Sequence, residues 1–143
     1  MNSQCLFQDF DLFLTMHIPA TAHELRCYFT WMGNDGVART KVKKGAEVEL
    51  ADAVENSKLV NSFFVDEKFP ILIDSRGIKS ISREARSFFT ANGRETNTMA
   101  FAILIDSSVS KVVGNFFLGI NKPAVPTKLF TNEKEALNWL INL

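Results

Sequence analysis

Two short stretches gather side chains that could do chemistry, Asp74-Ser75-Arg76 and Asp106-Ser107-Ser108. Both follow the same apolar phrase. The chain reads Ile71-Leu72-Ile73-Asp74-Ser75 and, thirty-odd residues on, Ile103-Leu104-Ile105-Asp106-Ser107. Carboxylates at the ends of neighbouring strands could face each other as an acid pair or hold a hard cation. No further carboxylate completes a ligand set, so no metal site is expected. His17 and His23 lie in or beside the N-terminal stretch, too far from any nucleophile to form a local motif. Cys5 and Cys27 have no metal-ligand spacing and make no disulfide framework. There is no Gly-rich phosphate loop and no Ser-His or Cys-His signature. The expectation is no cofactor and no catalysis.

The elements that must position these residues are legible. Runs that are apolar on consecutive residues suit strands covered on both faces, as in parallel sheets. The twin phrases therefore read as two buried strands, each followed by a helical pattern, which is the repeat of an α/β domain. Before them, residues 24–31 and 37–42 flank Met32-Gly33-Asn34-Asp35-Gly36, a hairpin signal because Asn, Asp and Gly tolerate positive φ. Cys27 falls on the first of these strands. Lys41, Lys43 and Lys44 leave the second as a basic cluster, read as solvated charge guarding a sheet edge rather than as a phosphate contact.

A first helix is expected over 49–65, with Leu50, Ala53, Val54, Val60 and Phe64 on one stripe. Ser80 or Ser82 can cap a second helix carrying Ala85, Phe88 and Phe89, and Asn92-Gly93 ends it. The second twin strand spans 98–105. Behind it Val109, Val112, Val113, Phe116, Phe117 and Ile120 mark the clearest helix. Its buried side chains, at ~1.5–3 kcal/mol each, outweigh the ~1 kcal/mol that Gly114 costs. A last strand over 126–130 leads to Asn132 and Glu135 in capping-box relation, then a final helix. The order is a β-hairpin followed by αβαβαβα. Right-handed crossovers make the later strands parallel.

Residues 1–22 stand apart as an N-terminal arm, and 23–143 form the domain. Leu6, Phe7, Phe10, Phe13, Leu14 and His17 recur at helical spacing until Pro19. The stripe suits either a docking helix for a partner or, the favoured reading, an arm folded back on its own domain. At 143 residues one domain is expected. Zero formal net charge offers no field for nucleic acid or an anionic membrane. The stretch 12–22 ends in small residues, but it lacks a basic start and follows Asp9 and Asp11, against a secretory leader. No run is long enough for membrane insertion. Reduced thiols fit a cytoplasmic setting.

The stretch ILIDSRGIKSISREARSFF is similar to the strand-turn-helix of anti-sigma-factor antagonist (STAS) domains. From residue 24 to 143 the chain resembles the STAS/SEC14-like, SpoIIAA-like family of small bacterial proteins of unknown function. The run SKVVGNFFLGINKPAVPTKLFTNEKEALNWL is the most specific part. The resemblance implies an α/β, SpoIIAA/STAS-like fold, with a mostly parallel sheet of four to five strands that binds proteins rather than catalyses. The family's phosphate-accepting motif, Asp-Ser-Ser-Gly, falls here on Ser82-Arg83-Glu84-Ala85. Glu84 then stands at the acceptor position, so the resemblance does not carry over the family's phosphorylation. Ser82, Ser107 and Ser108 are the weak candidates for that modification.

Parallel strands point their C-terminal ends to one edge, where α/β proteins usually bind ligands. That edge should carry Asp74, Ser75, Arg76, Asp106, Ser107, Ser108, Thr131 and Asn132. Two helix N-termini open onto it, which makes an anion pocket physically possible. The same residue types serve capping, the favoured role. Phosphate on Ser107 or Ser108 would sit at a helix N-terminus and stabilise it. The pairs Phe63-Phe64, Phe88-Phe89 and Phe116-Phe117 place one ring on the sheet and one sideways, for helix packing or for a partner. The expectation is a regulatory module that meets an unknown protein partner and itself as a homodimer. Its surface would join the arm, the hairpin edge and the sideways rings. The alternative is a binder of a small apolar (lipid) or anionic ligand.

Overall fold

The structure is a computed structural model and describes residues 16–63, 66–91, 97–106 and 125–143. In chain order its elements are β1 (His23–Glu24), β2 (Tyr28–Met32), β3 (Ala38–Val42), β4 (Glu47–Val48), α1 (Leu50–Ser62), β5 (Phe69–Asp74), β6 (Ser80–Ile81), α2 (Arg83–Ala91), β7 (Thr98–Leu104), β8 (Thr127–Phe130) and α3 (Glu133–Ile141). Six strands form the main sheet in the order β1-β2-β3-β5-β7-β8. The first two pairings are antiparallel and the next three parallel. The twin phrases are neighbours running the same way. The sheet has one strand more than the upper expectation, and β1, at two residues, is too short to show a period.

The hairpin forms where the Asn-Asp-Gly tract places it. Gly36 takes φ +80°, and the Asp35 carboxylate accepts from the Val37 N–H at 3.1 Å and from both Nη atoms of Arg39 at 2.8 Å. Two details of this region are corrected. Cys27 precedes β2 instead of lying on a strand, because the Leu25 N–H bonds to the Tyr28 carbonyl (2.7 Å) and bends the chain between β1 and β2. The strand carrying Lys41 is not an edge strand, since β3 lies between β2 and β5.

Alternation assigns two faces to the sheet. Leu72, Ala100, Ala102, Leu104 and Phe130 lie on one, covered by Ala136 and Leu140 of α3 and by Met16, with Ile18 and Ala22 beside it. Ala38, Val42, Phe69, Ile71 and Ile103 lie on the other. There α1 contributes Ala53 and Val60, and α2 contributes Ala85. That face also buries polar groups. The Thr30 hydroxyl donates to the Asn56 carbonyl oxygen at 2.6 Å, and Asn56 Nδ2 donates to Thr40 Oγ1 at 3.2 Å.

The helix starts are explained by their caps. The Glu49 N–H donates to Asp52 Oδ2 (2.9 Å), Ser82 Oγ accepts from the Ala85 N–H (3.1 Å), and Asn132 Oδ1 accepts from the Glu135 N–H (3.1 Å). Outside the main sheet, β4 and β6 pair as a two-stranded parallel ladder. The expected helix behind the second twin strand, the Asn92-Gly93 cap and the residues Leu6 to Leu14 lie outside the described residues.

Candidate functional site

The C-terminal edge of the parallel strands is built around Asp74. Its position on β5 shares a face with Leu72, and in register it stands beside Lys41 of β3 on one side and Leu104 of β7 on the other. The carboxylate is fully buried. Oδ1 accepts from the Arg76 backbone N–H (3.1 Å) and Nε (2.9 Å), while Oδ2 accepts from Arg76 Nη2 (2.8 Å) and Lys41 Nζ (3.1 Å). Burial alone would push its pKa up. The Arg76 hydrogen bonds and the Lys41 charge outweigh that and hold it below the ordinary carboxylate range. Arg76 is raised in turn, first by its bonds to Asp74, with Glu133 and Asp106 adding to the effect.

Ser75 and Asn132, of the neighbouring candidates, are committed within the chain as well. Ser75 is buried, and its hydroxyl donates to the Leu104 carbonyl at 2.7 Å, doubling the backbone bond from its own N–H at 3.1 Å. Gly77, at φ +86°, closes the turn, and its carbonyl accepts from the Gly45 N–H at 2.7 Å. Asp106 is exposed, two residues beyond the point where β7 passes Asp74, so the two acidic tips do not emerge together. Asn132 reaches the same edge and caps α3. Ser82 caps α2, and Glu84 is exposed in that helix's first turn. Ser107 and Ser108 lie outside the described residues. Among the described residues no three of His, Cys, Asp and Glu come close enough to hold a metal ion.

Lys41 is the residue that sequence reasoning misplaced. Arg39 and Lys41 alternate through a strand whose other positions, Ala38, Thr40 and Val42, are buried. In an interior strand that pattern puts cations on a covered face, and a covered cation requires an acid. A second pairing was also missed. Arg26 clamps the buried Asp52 through Nε (2.8 Å) and Nη2, and its Nη2 donates to the Glu47 carbonyl at 2.9 Å. Asp52 is thereby held below the ordinary carboxylate range, chiefly by that hydrogen bond. Cys27 nearby is buried, and burial pushes its thiol pKa up.

Between α1, α2 and the sheet lies a cavity of about 40 Å³ bordered by Asn56, Asn61, Ile73, Phe88, Phe89 and Phe101. A few waters fit there, whereas small-molecule sites run to ~300–1,000 Å³. The rings of the aromatic pairs turn inward where they are described. Phe63, Phe88 and Phe89 are half-buried against the core, and Phe88 meets Phe89 edge to face at 6.1 Å. Among the described residues no helix is long and apolar enough to cross a membrane.

Comparison with known proteins fits this architecture. Residues 30–143 match a family described as a domain of unknown function, DUF7793. The chain is similar to the crystal structure of an uncharacterised protein of the DUF3478 family with a SpoIIAA-like fold, from Shewanella loihica PV-4. That match has 20% identity and a TM-score of 0.51, and covers 83% of this chain and 90% of that one. A protein of unknown function from Arthrobacter sp. FB24 is 40% identical over 78% of this chain and 96% of its own, with a TM-score of 0.32. No curated protein matches the chain. The Shewanella likeness shows the fold, which is SpoIIAA-like as the resemblance implied.

Proposed function

The chain belongs to the DUF7793 family, and from that premise we propose that it is a non-catalytic regulatory module acting through protein contacts, as a homodimer, in the cytoplasm. The observation that carries the reading is the state of the sheet edge. Asp74, Ser75, Arg76, Ser82 and Asn132 hold the fold together, with their polar atoms turned to partners inside the chain. An acid that accepts four hydrogen bonds beside two cations is a poor general base, since it gains little by taking a proton. With Phe63, Phe88 and Phe89 turned into the core, the contact surface falls to the hairpin edge along β1. Lys43 lies there over the Phe29 ring at 5.0 Å and pairs with Glu24 at 2.7 Å. Phosphorylation is not part of the reading, because Ser82 is a cap and Glu84 occupies the neighbouring exposed turn.

The alternative, a lipid or anionic ligand, finds less support. The described cavity is far too small for an acyl chain, and the starts of α2 and α3 are met by their own side chains. Light scattering over a wide concentration range tests the leading reading. A mass of two chains that falls to one when His23 and Glu24 are both replaced by proline supports a dimer through β1. One-chain mass at every concentration removes it.

A further inference from the structure

The cavity between α1, α2 and the sheet has walls of two kinds. Val60, Ile73, Phe88 and Phe89 are apolar, whereas Asn56 and Asn61 of α1 bring neutral amides to the same space. Asn56 is buried, its carbonyl oxygen accepting from Thr30 at 2.6 Å and its Nδ2 donating to Thr40 Oγ1 at 3.2 Å. That nitrogen carries a second N–H, for which the described residues supply no acceptor. Asn61 is its complement. Its Oδ1 is shut off from solvent and has no hydrogen-bond partner among the described residues. Its Nδ2 meets Ser57 Oγ at 3.5 Å, the outer limit of a hydrogen bond. Reversing the amide would exchange the orphaned oxygen for an orphaned N–H, so either orientation leaves one polar end over.

We propose that this cavity is a hydration site, whose ordered water accepts from Asn56 Nδ2 and donates to Asn61 Oδ1. Size, charge and polarity select water over other occupants. At ~10–15 Å³ for each water, the cavity of about 40 Å³ takes two or three and is too small for an organic ligand. None of the residues lining it ionises, so nothing there would balance an ion. Dry cavities are apolar throughout, and dryness here would leave a buried amide oxygen with its desolvation uncompensated. Water offers a donor and an acceptor together, which matches one spare oxygen and one spare N–H. Five residues apart on α1, the two amides do not stack as residues three or four apart do, so their link has to be a bridge. That bridge extends the Thr30–Asn56–Thr40 network, which fastens α1 to β2 and β3, toward the end of the helix. The site is independent of the dimer reading, which concerns β1.

Crystals of the full chain provide the test. At a resolution where internal solvent is visible, density is expected within ~3.2 Å of Asn61 Oδ1, joined directly or through a second water to Asn56 Nδ2. Pressurising the same crystals with xenon should leave the site unchanged, because xenon enters apolar cavities that are dry. In solution, oxygen-17 relaxation dispersion counts long-lived waters. Asn61→Leu removes the orphaned oxygen and fills the space, and should lower that count by about one. Unchanged near-ultraviolet circular dichroism shows that the variant is folded. The proposal is overturned by an empty site in the crystal, by xenon within it, or by an Asn61 amide bonded directly to Asn56. An unchanged water count in folded Asn61→Leu also overturns it, and if that variant does not fold, the crystals decide alone.

Discussion

The pentapeptide Ile-Leu-Ile-Asp-Ser occurs twice, on adjacent parallel strands, and its two copies lead different lives. In both, the leucine is fully buried on the face under α3 and the isoleucines point to the opposite face. Beyond that the copies diverge, because the strands are staggered by two residues. Ile73 stands beside Ile103, so Asp74 stands beside Leu104, and the second aspartate passes the sheet before its turn comes. The first acid is enclosed, with Lys41 supplied by β3 and Arg76 by its own turn. The second has β8 as its neighbour, reaches solvent, and touches the cluster only through its charge on Arg76. Identical letters fix which face a side chain takes. Register and the neighbouring strand fix what it does.

Neutralising each acid in turn should break the comparison most sharply. Asp74→Asn leaves Lys41 and Arg76 facing each other over an uncharged amide. Removing one member of a buried ion pair costs roughly 3–5 kcal/mol, and the low end applies because both cations keep some contact with water. Urea denaturation of Asp106→Asn should differ from wild type by no more than about 0.5 kcal/mol. Equal losses at the two positions would show that the stagger has no energetic meaning.

Acidity sharpens the same contrast. A carboxylate with a depressed folded pKa stabilises fully above its unfolded value of about 3.9 and loses that contribution as pH falls through the lower folded value. The stability gap between wild type and Asp74→Asn should therefore hold at neutral pH and close in strong acid. Stability curves for both proteins check this, and a gap independent of pH would mean that Asp74 has the same pKa in the folded and unfolded states.

Smaller effects belong to the turn after the first copy. Gly77→Ala forces a left-handed residue with a side chain, costing about 1–2 kcal/mol. The new Cβ would meet Lys44 Cα at an ordinary 3.5 Å, so conformation and not crowding sets the loss. Ser75→Ala should cost about 1 kcal/mol in thermal or urea unfolding, since the Leu104 carbonyl keeps its bond from the residue 75 N–H.

Much of the architecture could be read in advance because it depends on short-range pattern. Consecutive apolar residues announced β5 and β7, Asn34-Asp35-Gly36 announced the hairpin, and Ser82 and Asn132 announced helix starts. What escaped was long-range. Lys41 and Asp74 are 33 residues apart, and nothing local says that β3 sits inside the sheet beside β5. The same holds for Thr30, Thr40 and Asn56, whose hydrogen bonds join two strands and a helix. β4 and β6 have two residues each, too few for any periodicity. Chain order could group the edge residues, but the burial and bonding of Asp74, Ser75 and Arg76 follow from a register that sequence does not display.

The small ladder between β4 and β6 has a consequence for where this molecule tolerates intrusion. With Gly45 bonded to Gly77, Lys79 to Ala46 and Ser82 to Val48, the two connections that lead into α1 and α2 are stitched into a single belt. An inserted epitope there would have to cut that seam and would pry both helix starts from the sheet at once. The hairpin tip around Asn34 has no such seam, and grafts or permuted ends placed there should leave the rest of the body undisturbed.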